Sequence, residues 1–155
     1  MVLQVFISSF LASLGFAILF NIKKNKLWLA GLGGSIGGVV HFLCVSHGYP
    51  EVLALFVAAI AFSLFSEICA RMERTPVTTF VICALIPLVP GGGMYRMMVQ
   101  AISSDAIGAL HIGIETLSYA GALVLGIMFV STITKGMTAF TKRSVYELKK
   151  DKKKG

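Results

Sequence analysis

Apolar positions in this chain gather into five long runs separated by short polar ones, from about Val2 to Phe20, Leu27 to Val45, Val52 to Ala70, Val77 to Ile102 and Ile112 to Thr134. Each run comes near or exceeds the ~20 residues a helix needs to cross ~30 Å of hydrocarbon. They are apolar nearly all round, whereas helices of soluble proteins alternate an apolar stripe with a polar face. The pattern predicts an all-α integral membrane protein of about five transmembrane helices and argues against a soluble helical core. No basic region precedes the first run and no small-residue cleavage site follows it, so it is read as a retained span rather than a signal peptide.

The fourth run is broken. Its middle reads Leu85-Ile86-Pro87-Leu88-Val89-Pro90-Gly91-Gly92-Gly93-Met94-Tyr95-Arg96. Each proline removes a backbone donor and each glycine relaxes the helical dihedrals, so a break is expected over Pro90 to Gly93, with a fresh helix from Gly93 or Met94. Helical rise from Val77 puts Pro90 about 20 Å deep. In hydrocarbon such a break is tolerated only where protein buries it or where it lines a watery cavity, so it marks either a packing kink or a ligand site; we read it as the site. Ser103-Ser104-Asp105 then offers caps for the next helix.

Charge sets the orientation. The 155 residues are 56% hydrophobic with a formal net charge of +7. The basic residues follow the first span (Lys23, Lys24, Lys26), the third (Arg71, Arg74) and the last (Lys142, Arg143, Lys149, Lys150 and Lys152 to Lys154), while the loop around Ser46 to Glu51 has none. That is the positive-inside arrangement, not a nucleic-acid patch, and it puts Met1 outside and the C-terminus in the cytoplasm. A four-span version, with the first or second run lying in the interface, explains the charges less well. The chain divides into a helical membrane domain, residues 1–137, and a basic cytoplasmic tail, residues 138–155.

The second span is rich in glycine. Gly33 with Gly37, and Gly34 with Gly38, lie one turn apart and let another helix approach closely, which also makes this span a contact surface for a partner. The run lacks the Lys-Ser or Lys-Thr ending of a nucleotide loop. Cys44, Cys69 and Cys83 are isolated, so neither a metal nor a cofactor is expected, and no nucleophile has a base beside it, which argues against an enzyme.

Polar groups at membrane depth are candidates for function. The helix start after the glycines presents bare amides and a partial positive charge suited to a carboxylate. Arg96 in its first turn can clamp an anionic group or reach the outer headgroups. Pro90, Gly91, Gly92, Gly93, Tyr95 and Arg96 are therefore the candidate substrate-binding residues. His41 and Glu115 fall in the same outer half by helical rise, as groups that carry protons or form ion pairs; for His41 a neighbouring hydroxyl or carbonyl is the plainer partner, and for Glu115 a capping or interfacial role. Glu67 precedes Arg71 by one turn and is read first as its ion-pair partner, second as a transport residue.

The segment Ile86-Pro87-Leu88-Val89-Pro90-Gly91-Gly92-Gly93-Met94-Tyr95 resembles the Pro-x-x-Pro-Gly segment of the threonine/serine exporter family. Phe20-Asn21, Gly34-Ser35-Ile36-Gly37 and Glu115-Thr116-Leu117 resemble further family features, so the likeness spans nearly the whole chain. The resemblance implies proton-gradient-driven export of small polar carboxylates across a bacterial inner membrane: threonine and serine, or in some split pairs a dicarboxylate such as succinate. It also implies that this chain is the smaller of two subunits, with a larger membrane partner carrying the other half; homo-oligomers are a further arrangement. An accessory scaffold with no transport path of its own is the competing reading.

Overall fold

The computed structural model describes the backbone of residues 1–151 and the side chains of residues 1–136. The helices are α1 (Val2–Leu19), α2 (Lys24–Ser46), α3 (Glu51–Met72), α4 (Thr78–Leu85), α5 (Gly91–Ile102) and α6 (Ala106–Asp151), with a 3-10 turn at Ile86–Leu88 between α4 and α5. Four helices are long and apolar enough to cross a membrane, and the α4 and α5 pair, bent by 51°, makes a fifth span or a re-entrant element. The basic residues assigned to the tail 138–155 lie outside the residues whose side chains are described.

Helix α2 sits at the centre and uses its glycines on two sides. On the α1 side, a Cβ at Gly34 would strike Ser13, one at Gly38 would strike Ser9, and one at Gly31 would meet the ring of Phe10. On the other side, Gly33 admits Ala84 and Phe65, and Gly37 admits Leu88 and Phe62. Lipid tails are as apolar as leucine, so helices here gain little by hiding apolar surface from the bilayer; they associate through close van der Waals packing, and small residues make that approach. Gly31, Gly33, Gly34, Gly37 and Gly38 are all buried within the chain. The expectation that this run offers a surface to another subunit is therefore corrected: α1, α3, α4 and the 3-10 turn occupy it.

A second close seam joins α3 to α6, where a Cβ on Gly126 would collide with Ala59 and the Phe56 carbonyl. Around it Leu55, Ala58, Phe62, Ala84, Leu88, Ala122 and Leu123 form the main apolar cluster. Near the basic end a smaller cluster gathers Ala17, Ala30, Cys69, Ala70, Phe80 and Cys83. There Lys26 Nζ donates to the Glu73 carbonyl at 3.0 Å and to the Thr75 hydroxyl, with the Glu73 carboxylate 3.8 Å away, fastening the start of α2 to the turn after α3. At the opposite end α2 and α3 are joined by His47 to Pro50, where Gly48 takes a φ of 83° that disfavours any side chain.

Helix α6 begins earlier than the apolar run suggested, because Asp105 caps it: its Oδ1 accepts the Gly108 amide at 2.9 Å, and its Oδ2 accepts from Gln100 Nε2 at 2.9 Å. The Gly108 amide bond, followed by the Gln100 bond, holds the Asp105 carboxyl below its ordinary value. A depressed carboxyl contributes stability above its unfolded pKa and loses it as pH falls through the folded value. Amide exchange at Gly108 and Ala109 is accordingly expected to accelerate on acidification below about pH 4 and to be insensitive to pH in the Asp105→Asn variant once intrinsic exchange is corrected for. Gly34→Ala is expected to cost about 1–3 kcal/mol through overpacking against Ser13, read as a lowered melting temperature in detergent.

Candidate functional site

The break in the fourth span is built by its prolines. Pro87 lacks an amide to continue the α-helical ladder, and the chain tightens into the 3-10 turn. Val89, which precedes Pro90, is pushed into extended backbone at φ −60° and ψ 128°. Pro90 then stands as the N-cap of α5, which starts at Gly91. The break thus falls at Val89 and Pro90, and the helix after it starts at Gly91, two to three residues earlier than expected, because Gly91 to Gly93 adopt helical dihedrals rather than an open turn. Among the described residues no side chain caps α5. The amides of Gly91 and Gly93 reach the carbonyls of Val89 and Pro90, whereas that of Gly92 has no backbone acceptor there.

The glycines of this start are not equivalent. Gly93 is buried against Thr116, whose hydroxyl donates to the Ile112 carbonyl at 2.7 Å. Cβ atoms at Gly91 and Gly92 would meet nothing within 4 Å, and neither residue has a positive φ. Neither packing within the chain nor backbone conformation calls for glycine at these two positions, and Gly92 faces an open cavity.

That cavity, of about 310 Å³, lies between the α2 and α3 ends, the 3-10 turn, α5 and α6. Its volume is at the lower end of small-ligand sites. One wall carries Pro90, Gly92, Gly93 and Arg96; the others bring His41, Glu51, Glu115, Thr116 and Tyr119. Arg96 Nε donates to the Gly92 carbonyl at 3.3 Å, which lays the guanidinium along the α5 start. It forms no ion pair among the described residues. Glu115 is taken by the Tyr119 hydroxyl, which donates to Oε1 at 2.5 Å one turn along α6. Arg96 and Glu115 therefore share the cavity without pairing.

His41 has a partner that the sequence reading did not name. Its Nε2 lies 2.8 Å from Glu51 Oε1, across the turn joining α2 to α3. Proximity in sequence hid this pair, because Glu51 reads as a loop residue until α3 starts on it. Tyr95 is 69% exposed and points away from the cavity, and Gly91 does not line it. Glu67 is remote, near the basic end, where its Oε2 lies 3.8 Å from Arg71 Nε and its Oε1 accepts from Thr134 at 3.0 Å. Tyr119 was also missed, and Thr116 was noted only as part of the family-like Glu115-Thr116-Leu117 and not as a site residue; their positions at i+4 and i+1 from Glu115 were the available signal.

A bundle of apolar helices of membrane-spanning length, with a polar cavity at a broken span, is the architecture of a multi-pass membrane protein. The chain belongs to the family described as threonine/serine exporter, ThrE, whose family model matches residues 5–133. That family comprises exporters. No solved structure matches this chain.

Gly92→Ala and Gly91→Ala are expected to leave thermal stability unchanged or to raise it by up to ~1 kcal/mol, because the added methyl meets open space in a helical backbone. Gly93→Ala is expected to lower it, since Thr116 must give way. Melting of the three purified variants in one detergent checks the contrast.

Proposed function

We propose that this chain is the small subunit of a proton-gradient-driven exporter of small amino acids, threonine or serine, and that the cavity at the α5 start is its substrate site. The single observation that carries this reading is the pairing of an uncapped helix start with Arg96 on one cavity wall and carboxylates on the others. The Gly92 amide and the partial positive charge of α5 suit a carboxylate, and the guanidinium adds a fork of donors for the same group. Glu51 and Glu115 suit an ammonium. A dicarboxylate such as succinate would set its second negative charge against those two acids, so the wall composition favours a zwitterion over it.

The basic end is the cytoplasmic one under the positive-inside rule, with Met1 outside and the cavity in the outer half of the membrane. Of the two cavity groups weighed as proton carriers, His41 is the one that takes up the proton in the cycle, because Glu115 is engaged by the Tyr119 hydroxyl. Two features support a larger membrane subunit: Arg96 and Glu115 are exposed on an open side of the cavity, and α5 packs chiefly on α6, leaving Met94, Tyr95, Met98 and Ile102 uncovered.

The reading is tested by reconstituting the chain with and without that larger subunit, then following labelled serine, threonine and succinate across an imposed pH gradient. Serine and threonine are expected to be exported and succinate to be excluded. Arg96→Ala is expected to raise the apparent KM at least about tenfold, the weight of a charge-assisted hydrogen bond, without reducing membrane insertion. Unchanged export in that variant removes the cavity from the transport path.

A further inference from the structure

The cavity contains two acids, and their partners differ in kind. Glu115 accepts from a tyrosine hydroxyl, a neutral donor whose charge does not change in the physiological range. Glu51 is held by His41, the one side-chain type whose ordinary pKa puts its charge change between about pH 5 and 8. With Glu51 ionised its carboxylate can only accept, so Nε2 would carry the hydrogen between them and Nδ1 would be the nitrogen left for a proton.

We propose that the His41 and Glu51 pair is where proton and substrate exclude each other: Glu51 binds the ammonium of the amino acid while His41 is neutral and releases it when Nδ1 is protonated. This rests on the export reading of the cavity given above. With His41 neutral the pair carries one negative charge, and an ammonium completes it. With His41 protonated the pair is already neutral, and the ammonium loses its counter-ion. One proton bound at Nδ1 thus replaces one ammonium, and the cavity has the same net charge in both loaded states. Leu55, Pro87, Leu88 and Ile112 line the same space, and their low polarity strengthens the difference between the two states.

The remaining charges near the pair do not duplicate this role. Arg96 from α5 is permanently charged, and Glu115 and Tyr119 from α6 bond each other. Helix α1 has no ionisable side chain, and α4 contributes only the thiol of Cys83, which packs in the cluster near the basic end. His47 and His111 do not line the cavity, and His47 Nδ1 is engaged by the Leu43 carbonyl at 2.7 Å.

The test is labelled serine transport by membrane vesicles from cells producing the full chain with the subunits it assembles with, measured from about pH 8 to about pH 5.5, the range in which a histidine titrates. Wild-type apparent KM is expected to rise as pH falls, by at most about tenfold per pH unit, as for a proton competing at one site. His41→Gln keeps a donor to Glu51 but does not titrate, and its KM is expected to be flat over the same range. Glu51→Gln is expected to raise KM for serine about tenfold or more at every pH, while inhibition by 3-hydroxypropionate, which lacks the ammonium, stays as in wild type.

A wild-type pH slope retained in His41→Gln, or an unchanged serine KM in Glu51→Gln, overturns the proposal. If at the same time Arg96→Ala raises the apparent KM about tenfold or more, the export reading stands without this pair; if Arg96→Ala is also silent, the export reading itself fails. Should Glu51→Gln not insert, Glu51→Asp keeps the charge and is expected to keep the pH slope, and a flat profile in that variant overturns the proposal equally.

Discussion

Hydrocarbon offers a peptide group no hydrogen-bond partner, so a helix broken inside a membrane must have its loose amides and carbonyls met by protein or by a water-filled space. The rest of this fold follows from how the break at Val89 and Pro90 is housed. Pro87 and Pro90 withhold two donors at the break, and the 3-10 turn between them shortens the unpaired stretch. Carbonyls of Val89 and Pro90 are recovered by glycine amides of the following turn. Gly92, whose amide has no backbone acceptor there, lines the cavity.

Housing that break requires neighbours that come unusually close, and small residues provide them at each contact. Gly37 admits Leu88 from the 3-10 turn, Gly93 admits Thr116, and Gly126 brings α6 onto the Ala59 turn of α3. The helices that frame the cavity are thus held by backbone-distance contacts, and the polar side chains at its walls are left to their own pairings. Glycine has two distinct uses in this chain: at Gly33, Gly34, Gly37 and Gly38 it is filled by another helix, and at Gly92 the space is open.

Much of this was legible in the amino-acid order. Span positions follow from the ~20-residue apolar runs, and the bend follows from two prolines and three glycines in one of them. Counting helical rise was enough to bring His41, Gly92, Arg96 and Glu115 to one depth. Rise does not give azimuth, and this accounts for the misses. Tyr95 stands next to Arg96 yet faces away, because neighbours on a helix are about 100° apart. Glu51 could not be matched to His41 without knowing that the α2 and α3 ends face each other across Gly48. The glycine run announced close packing but not which helices would fill it. The start of α5 was placed late because glycines in a row read as an open turn, although an N-terminal turn following a proline accommodates them.

The contact between Ala59 and Gly126 lies partway along the α3 and α6 seam, with Glu51 and Glu115 toward one end and Glu67 and Thr134 toward the other. Two rods in close contact near their middle have the geometry of a seesaw: a tilt of one about that fulcrum would move the acids at one end and the Glu67 end in opposite senses. Because α5 is carried mainly by α6, Arg96 rides on the same plank. A methyl group at position 126 would strike Ala59 and the Phe56 carbonyl and force the two helices apart at that fulcrum.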